Sequence, residues 1–497
     1  MRGWAYINRM KTCSLGFNGL VLLINLFFLS ACLEKDVPPP QPLDVVPTAA
    51  QLRWHRMEMN AFVHFSINTF TDKEWGYGDE SPTLFNPDSL DTDQWVSVFR
   101  EVGFRTVILT CKHHDGFCLW PSRHTSPSVA SSPVKTDVVG ALVNSSRKQG
   151  LDFGIYLSPW DRNHAQYGKP EYVEYYRNQL RELFAAYGPV VEMWFDGANG
   201  GDGFYGGARE QRRIDGASYY DWPGTLDLVR SLSPEVIFFS DAGPGVRWVG
   251  NERGVSGETN WNTITADTLF AGKPGLESLL ATGHPDGRKW IPAEVDVSIR
   301  PGWFYHARED SLVKSPEKLF DIYLTSVGRG STLLLNVPPD RHGRLHRKDV
   351  AALRGFRRLL DSAFRNDLAA QAEFSTSSVR GGSEAQFGAG QLLDGSDTTY
   401  WATDDNVRSA ELRLDWNAPQ SIRYLMIQEP VFMGQRVSRF RIETETEDGV
   451  RVLASGTTIG YKRIVQLSGN EAVRLDNIKL VIEDSKGCVA LAEVRAY

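Results

Sequence analysis

The stretch MWFDGANG at residues 193–200 ends an apolar run (Val190, Val191, Met193, Trp194, Phe195) in a carboxylate followed by glycine, which makes Asp196 the first candidate for a nucleophile. The run is too short for a helix and rich in β-branched and aromatic residues. It reads as a buried strand, and Gly197, Gly200, Gly201 and Gly203 mark the loop beyond it. A carboxylate at the C-terminal end of a buried parallel strand is where barrel enzymes keep their chemistry; the plain alternative is an Asp that caps the loop. Three earlier apolar runs end in comparable clusters. His64 follows Phe62 and Val63, with Glu74-Trp75 in the loop after it; Lys112-His113-His114-Asp115 closes the second run; Tyr156 and Trp160-Asp161 close the third.

Four successive strand ends with imidazoles, carboxylates, a phenol and indoles suit a hydroxyl-rich ligand, because hydroxyls need fixed donors and acceptors while a pyranose face needs an aromatic wall. Any single histidine after an apolar run is as well explained by a structural hydrogen bond. A metal site built from His64, His113 and His114 is disfavoured, since adjacent side chains at a strand end diverge whereas zinc ligands converge.

The elements that must position these groups alternate. Strand candidates are Ala61–Ile67, Thr106–Cys111, Phe153–Leu157, Val190–Phe195, Val236–Ser240, Trp290–Glu294 and Thr332–Val337. Helical patterns lie between several of them, at Asp91–Val102, Val138–Gln149, Glu171–Tyr187, Thr225–Leu232 and Pro316–Val327. Repeated β-then-α units predict an α/β fold, a (β/α)8-like TIM barrel over residues 50–362, with a doubly wound sheet as the rival. No GxGxxG opens a helix after the first strand, so a dinucleotide site is not indicated. After a linker at 363–373, residues 374–497 carry short strand-like runs with little helical periodicity, which predicts an all-β antiparallel sandwich.

At 497 residues the chain has room for both domains, and its formal charge of −7 without a long basic run argues against a nucleic-acid partner. The 14 Trp, 17 Tyr and 25 Phe suit sugar stacking and a large core equally. Cys111, Cys118 and Cys488 have no metal-ligand spacing. At the N-terminus, Arg2, Arg9 and Lys11 precede an apolar stretch that ends in Leu29-Ser30-Ala31-Cys32. Residues 1–32 thus resemble a bacterial lipoprotein signal in which Cys32 is lipidated, and the proline-rich 33–49 reads as an extended tether. The expectation is an exported, periplasmic or cell-surface protein held to a membrane by a lipid anchor.

The stretches HFSINTFTDKEWGYG (64–78), KHHDGF (112–117), GIYLSPWD (154–161) and MWFDGANG (193–200) closely resemble the α-L-fucosidases of glycoside hydrolase family 29, in the right order across roughly residues 50–360. The resemblance implies a barrel enzyme that hydrolyses terminal α-L-fucosides with retention, with Asp196 as nucleophile. It also implies a fucose pocket lined by His64, Glu74, Trp75, His113, His114, Tyr156 and Trp194, with no cofactor for catalysis. Arg300 and Trp303, in PAEVDVSIRPGWFY (292–305), look like late pocket residues of the same family.

Retention asks for a second carboxyl group that protonates the leaving oxygen and then activates water. Glu252, Glu258, Glu294 and Asp296 are the candidates that follow Asp196. The stretch RWVGNERGVSGETNW (247–261) resembles the acid/base loop of the subgroup that acts on α1,3/α1,4-linked fucose of branched oligosaccharides and glycoproteins, which selects Glu252 and leaves Glu258 in reserve. Finally, LLDGSDTTYWAT (392–403) resembles the discoidin-like sandwich shared with carbohydrate-binding module family 32. That likeness implies a structural Ca²⁺ held by Asp394, Asp397, Thr399 and Glu493, oxygen donors of the kind a hard cation takes. A glycan-binding surface lipoprotein without turnover and a metal-dependent hydrolase are the competing readings.

Overall fold

In a computed structural model of the chain, residues 36–469 and 471–497 are described; the expected signal at 1–32, with Cys32, lies outside them. Eight parallel strands close a barrel: β1 (Met59–Val63), β2 (Thr106–Lys112), β3 (Asp152–Leu157), β4 (Glu192–Trp194), β5 (Ile237–Ser240), β6 (Val246–Trp248), β7 (Ala293–Ser298) and β8 (Thr332–Asn336). Each strand pairs with its neighbours in sequence, and β8 closes on β1 through the register Met59↔Leu333 to Phe62↔Asn336. The alternation of the strands divides the core. Phe62, Ile108, Tyr156, Trp194, Phe239 and Leu334 fill the barrel interior, while Ala61, Val63, Val107, Leu109, Ile155, Val295 and Leu335 face the helices.

The outer layer consists of α1 (Ala49–Met57), α2 (Thr92–Val102), α3 (Val138–Gln149), α4 (Glu171–Tyr187), α5 (Trp222–Leu232), the short α6 (Glu277–Thr282), α7 (Pro316–Thr325) and α8 (Arg347–Ala363). Most begin at a side chain that satisfies a free backbone N–H: Asp91, Asp137, Asp221 and Ser315 each accept from the third residue on. Helix α1 starts with a capping box between Thr48 and Gln51 and contributes Trp54 to the barrel interior.

The barrel departs from simple repetition at β5 and β6. Only residues 241–245 connect them, with no helix, although parallel neighbours ordinarily need a longer crossover. The turn closes because Gly245 lies against the backbone of Phe238; a Cβ there would stand 2.7 Å from its N and O atoms. The sequence therefore signals seven of the strands, and β6 is the one without an apolar run of its own.

Past α8 the chain forms β9 (Glu373–Thr376), β10 (Ala410–Ile422), β11 (Tyr424–Gln428), β12 (Val437–Thr446), β13 (Gly449–Gly456), β14 (Arg463–Gln466), β15 (Val473–Ser485) and β16 (Glu493–Ala496). Antiparallel sheets β9-β10-β15-β12-β13 and β14-β11-β16 share one core, in which Leu412, Leu414 and Phe440 meet Leu425, Ile427 and Val494.

Residues 37–48 do not hang free as the proline-rich composition suggests; they lie along this C-terminal module. Val37 N–H donates to Gln386 Oε1 (2.9 Å) and Leu43 N–H to the Met433 carbonyl (2.9 Å). Arg380 Nε donates to the Pro38 carbonyl (2.7 Å) and Arg436 Nη2 to that of Gln41 (2.6 Å). An extended proline-rich segment leaves its carbonyls unpaired, and two arginines of the module take them up. Cys111, Cys118 and Cys488 are free and buried, and among the described residues no helix is long and apolar enough to cross a membrane.

Candidate active site

The C-terminal ends of the strands surround a cavity of about 390 Å³, whose lining includes His64, His113, His114, Tyr156, Trp194 and Asp196. Asp196 directly follows β4 and has both oxygens engaged: Tyr156 Oη donates to Oδ2 (2.8 Å) and Ala198 N–H to Oδ1 (2.7 Å). Burial and the neighbouring carboxylate push the Tyr156 phenol well above its ordinary range, so it stays a donor. Gly197 next to it leaves room for Asp241: a Cβ there would lie 2.1 Å from the Asp241 carboxylate and push it aside.

The three histidines are neutral. Asn336 Nδ2 donates to Ser298 Oγ (2.9 Å) and the Trp303 carbonyl (2.8 Å), so Asn336 Oδ1 is the acceptor and His64 Nδ1 carries the hydrogen that reaches it at 2.9 Å. Ser158 Oγ donates to the Trp160 carbonyl (2.7 Å) and therefore accepts from His114 Nδ1–H (2.7 Å). Desolvation lowers His64 to about 3, His114 to about 4 and His113 well below the usual imidazole value. His64 and His114 are thus left with an unprotonated Nε2, that of His114 standing 3.9 Å from Asp196 Oδ2. Neutral rings fixed in this tautomer accept hydroxyl protons. Trp194 stacks on Phe239 at 3.8 Å, and its Nε1–H is held by Glu294 Oε1 (2.9 Å).

Asp241, Trp248, Glu252, Asp296 and Trp303 also line the cavity. Glu252 stands at the rim on the loop after β6. Partial desolvation raises its carboxyl above the ordinary value, the facing Trp303 works in the opposite direction, and the charges of Asp196 and Glu74 add to the rise. Asp296 is buried beneath Trp248, whose Nε1 donates to it (2.8 Å), and burial raises it well above the carboxylate range. Of the other candidates for a second carboxyl group, Glu294 is spent under the floor on Trp194, and burial raises it above the carboxylate range beside the equally buried Glu192. Glu258 does not line the cavity; Arg329 and Arg463 hold its carboxylate at the junction with the C-terminal module.

Asp241 and Trp248 are site residues that the sequence reading missed. Asp241 repeats the signal that found Asp196, an apolar run ending in a carboxylate, and accepts Gly272 N–H (2.7 Å). Burial, with the Asp196 charge adding, lifts it from 3.8 to about 6. Its proton is bound more tightly in the folded than in the unfolded chain, so the stability it lends is complete below about 4 and disappears as pH rises through about 6. Asp241→Asn should remove that slope: thermal unfolding followed from pH 4 to 7 is expected to show wild type losing about 2 kcal/mol relative to the variant across this window.

Two residues expected in the pocket are placed elsewhere. Arg300 is fully buried outside the cavity, and its guanidinium is taken up by Asp349 (Nη2 to Oδ2 2.8 Å), Asp310 (3.0 Å) and the His306 carbonyl (3.5 Å). No donor is left over for a sugar. Glu74 does not reach the lining either. It accepts the N–H groups of Trp303 (2.8 Å) and Phe304 (3.3 Å), and His306 Nε2 lies 2.6 Å from it, so it fixes the turn that presents Trp303. Trp75 does line the cavity, half-exposed at the mouth and edge-on to His114 at 5.2 Å.

The residues implied for calcium do not form a cation cage. Arg56 of α1 takes both oxygens of Asp397 (2.7 and 2.9 Å), and Arg495 lies 3.3 Å from Glu493. Asp394 accepts from Thr399 Oγ1 (2.7 Å) and Ser396 N–H (2.9 Å). With two guanidinium groups on the carboxylates, the set does not fit a hard cation. Among the described residues no three of His, Cys, Asp or Glu converge as metal ligands, His64, His113 and His114 included.

The alpha-L-fucosidase family model matches residues 45–362. Alpha-L-fucosidase 1 of Arabidopsis thaliana is 41% identical over 456 residues, covering 90% of this chain and 87% of the relative. A solved glycoside hydrolase 29 family member from an unknown rumen bacterium is 41% identical with a TM-score of 0.81, covering 92% of this chain and 78% of that one. A Ruminococcus gnavus GH29 fucosidase in complex with fucose is 31% identical with a TM-score of 0.83, covering 93% and 97%. With motifs, barrel and cavity in agreement, the chain belongs to the alpha-L-fucosidases of glycoside hydrolase family 29.

Proposed function

We propose that this α-L-fucosidase works by double displacement, with Asp196 as nucleophile and Glu252 as acid and then base, on terminal α1,3/α1,4-linked fucose of branched glycans. The observation that carries the reading is a pair of carboxyl groups lining one cavity: Asp196, aimed by Tyr156 and the Ala198 N–H, and Glu252, whose affinity for its proton is raised. In the first step an Asp196 oxygen bonds to the anomeric carbon, the glycosidic C–O bond breaks, and the Glu252 proton passes to the departing oxygen. In the second step Glu252 takes a proton from water, the water oxygen bonds to the anomeric carbon, and the Asp196 ester bond breaks to release fucose. His64 and His114 accept sugar hydroxyl protons, and Trp303 and Trp75 supply apolar faces. The linkage preference rests on the loop at 247–261 and on the indole and carboxyl groups of Trp248, Asp241 and Asp296, which offer contacts for a neighbouring sugar.

Fucose release from an aryl α-L-fucoside and from a Lewis-type branched trisaccharide, followed by proton NMR, tests the proposal. The first product formed is expected to be α-fucose, with the trisaccharide preferred by kcat/KM. β-Fucose as first product would overturn double displacement, and binding without release would favour a glycan-binding protein.

A further inference from the structure

The loop that carries Glu252 runs from Val249 to Asn262, and its second half is gripped from outside the barrel. Asn260 N–H donates to Thr458 Oγ1 (2.8 Å). The Gln435 amide spans the next turn, giving a hydrogen bond to the Asn260 carbonyl (2.9 Å) and taking one from Asn262 N–H (2.7 Å). Arg463 Nη1 donates to the Glu258 carbonyl (3.0 Å). All three partners belong to the C-terminal module, and they hold backbone groups rather than side-chain tips. Asn260 and Asn262 are buried, so these groups have no water to fall back on. Inside the module, Glu429 accepts the N–H groups of Arg436 (2.6 Å), Val437 (2.8 Å) and Gly460 (2.6 Å), which fixes the two loops that bear Gln435 and Thr458.

Toward the cavity the loop is tightened in turn. Ser256 N–H donates to the Thr325 carbonyl (2.8 Å), and Asn251 closes a turn around Glu252, with Nδ2 on the Val255 carbonyl (2.8 Å) and Oδ1 taking Arg253 N–H (3.1 Å). The Gln435 and Thr458 anchor therefore stands eight to ten residues past the carboxyl group, on a loop without a helix or long strand of its own. We propose that the C-terminal module is a positioning element for proton transfer, acting through Gln435 and Thr458 on the loop that holds Glu252. The proposal rests on Glu252 as the acid/base.

Positioning of an acid has a signature that general destabilisation lacks. A departing sugar alkoxide needs the proton, whereas fluoride or a dinitrophenolate leaves without it. Thr458→Val and Gln435→Met should each lower kcat/KM for a fucosyl disaccharide about tenfold more than for α-L-fucosyl fluoride, and Thr458→Ser should restore the ratio. Glu252→Gln, assayed alongside, is expected to show the same dependence on the leaving group, only larger. Equal losses on both substrates, or no loss, in Thr458→Val and Gln435→Met would overturn the positioning role while leaving Glu252 in place. A Glu252→Gln variant indifferent to the leaving group would overturn the reading beneath it, and the positioning role with it. Thermal unfolding of each variant separates loss of fold from a changed ratio.

Discussion

Asp196→Asn should abolish turnover, with kcat/KM on an aryl fucoside falling on the order of 10⁴-fold, about 5.5 kcal/mol of transition-state stabilisation. The substitution is close to isosteric: the amide oxygen can keep the bond from Ala198 N–H, and the amide NH2 then faces Tyr156 Oη, whose hydroxyl can turn to accept it. Fold and cavity are then expected to persist, with fucose still bound, because what is lost is the negative oxygen that bonds to the anomeric carbon. Azide, small enough to occupy the space beside the amide, should recover part of the rate and yield β-fucosyl azide, since it attacks from the face Asp196 occupied. A variant that keeps more than a tenth of the wild-type rate, or one rescued to the α-azide, would remove Asp196 from the nucleophile's role.

Arg300→Met should act on stability and leave the chemistry alone. The guanidinium is fully buried, and so is Asp349, which it meets through Nε and Nη2. Removing one partner strands the other charge in the interior, which costs about 3–5 kcal/mol. The Asp349 carboxyl, already lifted from 3.8 to about 6 by burial even against the Arg300 charge, should rise further once that charge is gone. A raised carboxyl favours the folded chain below its unfolded pKa and ceases to do so as pH climbs through the folded value. The deficit is thus expected to be largest above the variant's raised value, to shrink as pH falls towards about 6, and to stay constant below that, where both proteins carry the proton. Replacing both residues, Arg300→Met with Asp349→Leu, should recover much of the loss. Calorimetry across pH and KM for an aryl fucoside check this together. An unfolding midpoint within a degree of wild type with a tenfold higher KM would instead place Arg300 against the sugar.

The contrast between these two residues shows how far the sequence could be read. Asp196 and Arg300 are both polar groups just past a barrel strand, and the pattern that locates a strand end locates both. Which way each side chain turns depends on partners far along the chain, such as Asp349, that no local pattern exposes. Glu74 is the same case, drawn away from the cavity by the backbone of 303–304 and by His306. His64, His114 and Tyr156, whose partners Asn336, Ser158 and Asp196 hold them at the strand ends, do line the cavity, as does His113. Regular elements were the most legible, since amphipathic spacing is local: α3 and α4 span the residues their periodicity indicates. Short β6 and the helix-free turn before it were not, because three residues, two of them buried, carry no period, and Trp248 was lost with them. The proline-rich strap failed for the opposite reason. Its composition is that of a free tether, and only the three-dimensional arrangement of Arg380 and Arg436 shows where its carbonyls are used.

That strap also sets an order of events during synthesis. Its hydrogen-bond partners stand between 342 and 395 positions downstream, among the most distant pairings in the chain. A ribosome adding about 5–20 residues per second leaves the segment waiting on the order of tens of seconds before its partners exist. Barrel strands β1 to β8, each paired to the next in sequence, can assemble meanwhile over far shorter loops, and even the closure of β8 on β1 is complete in sequence before the module begins. The strap is therefore a late-closing latch: it can dock only when the last sheet has formed, so its protection from a protease or from amide exchange would report that the whole chain has arrived.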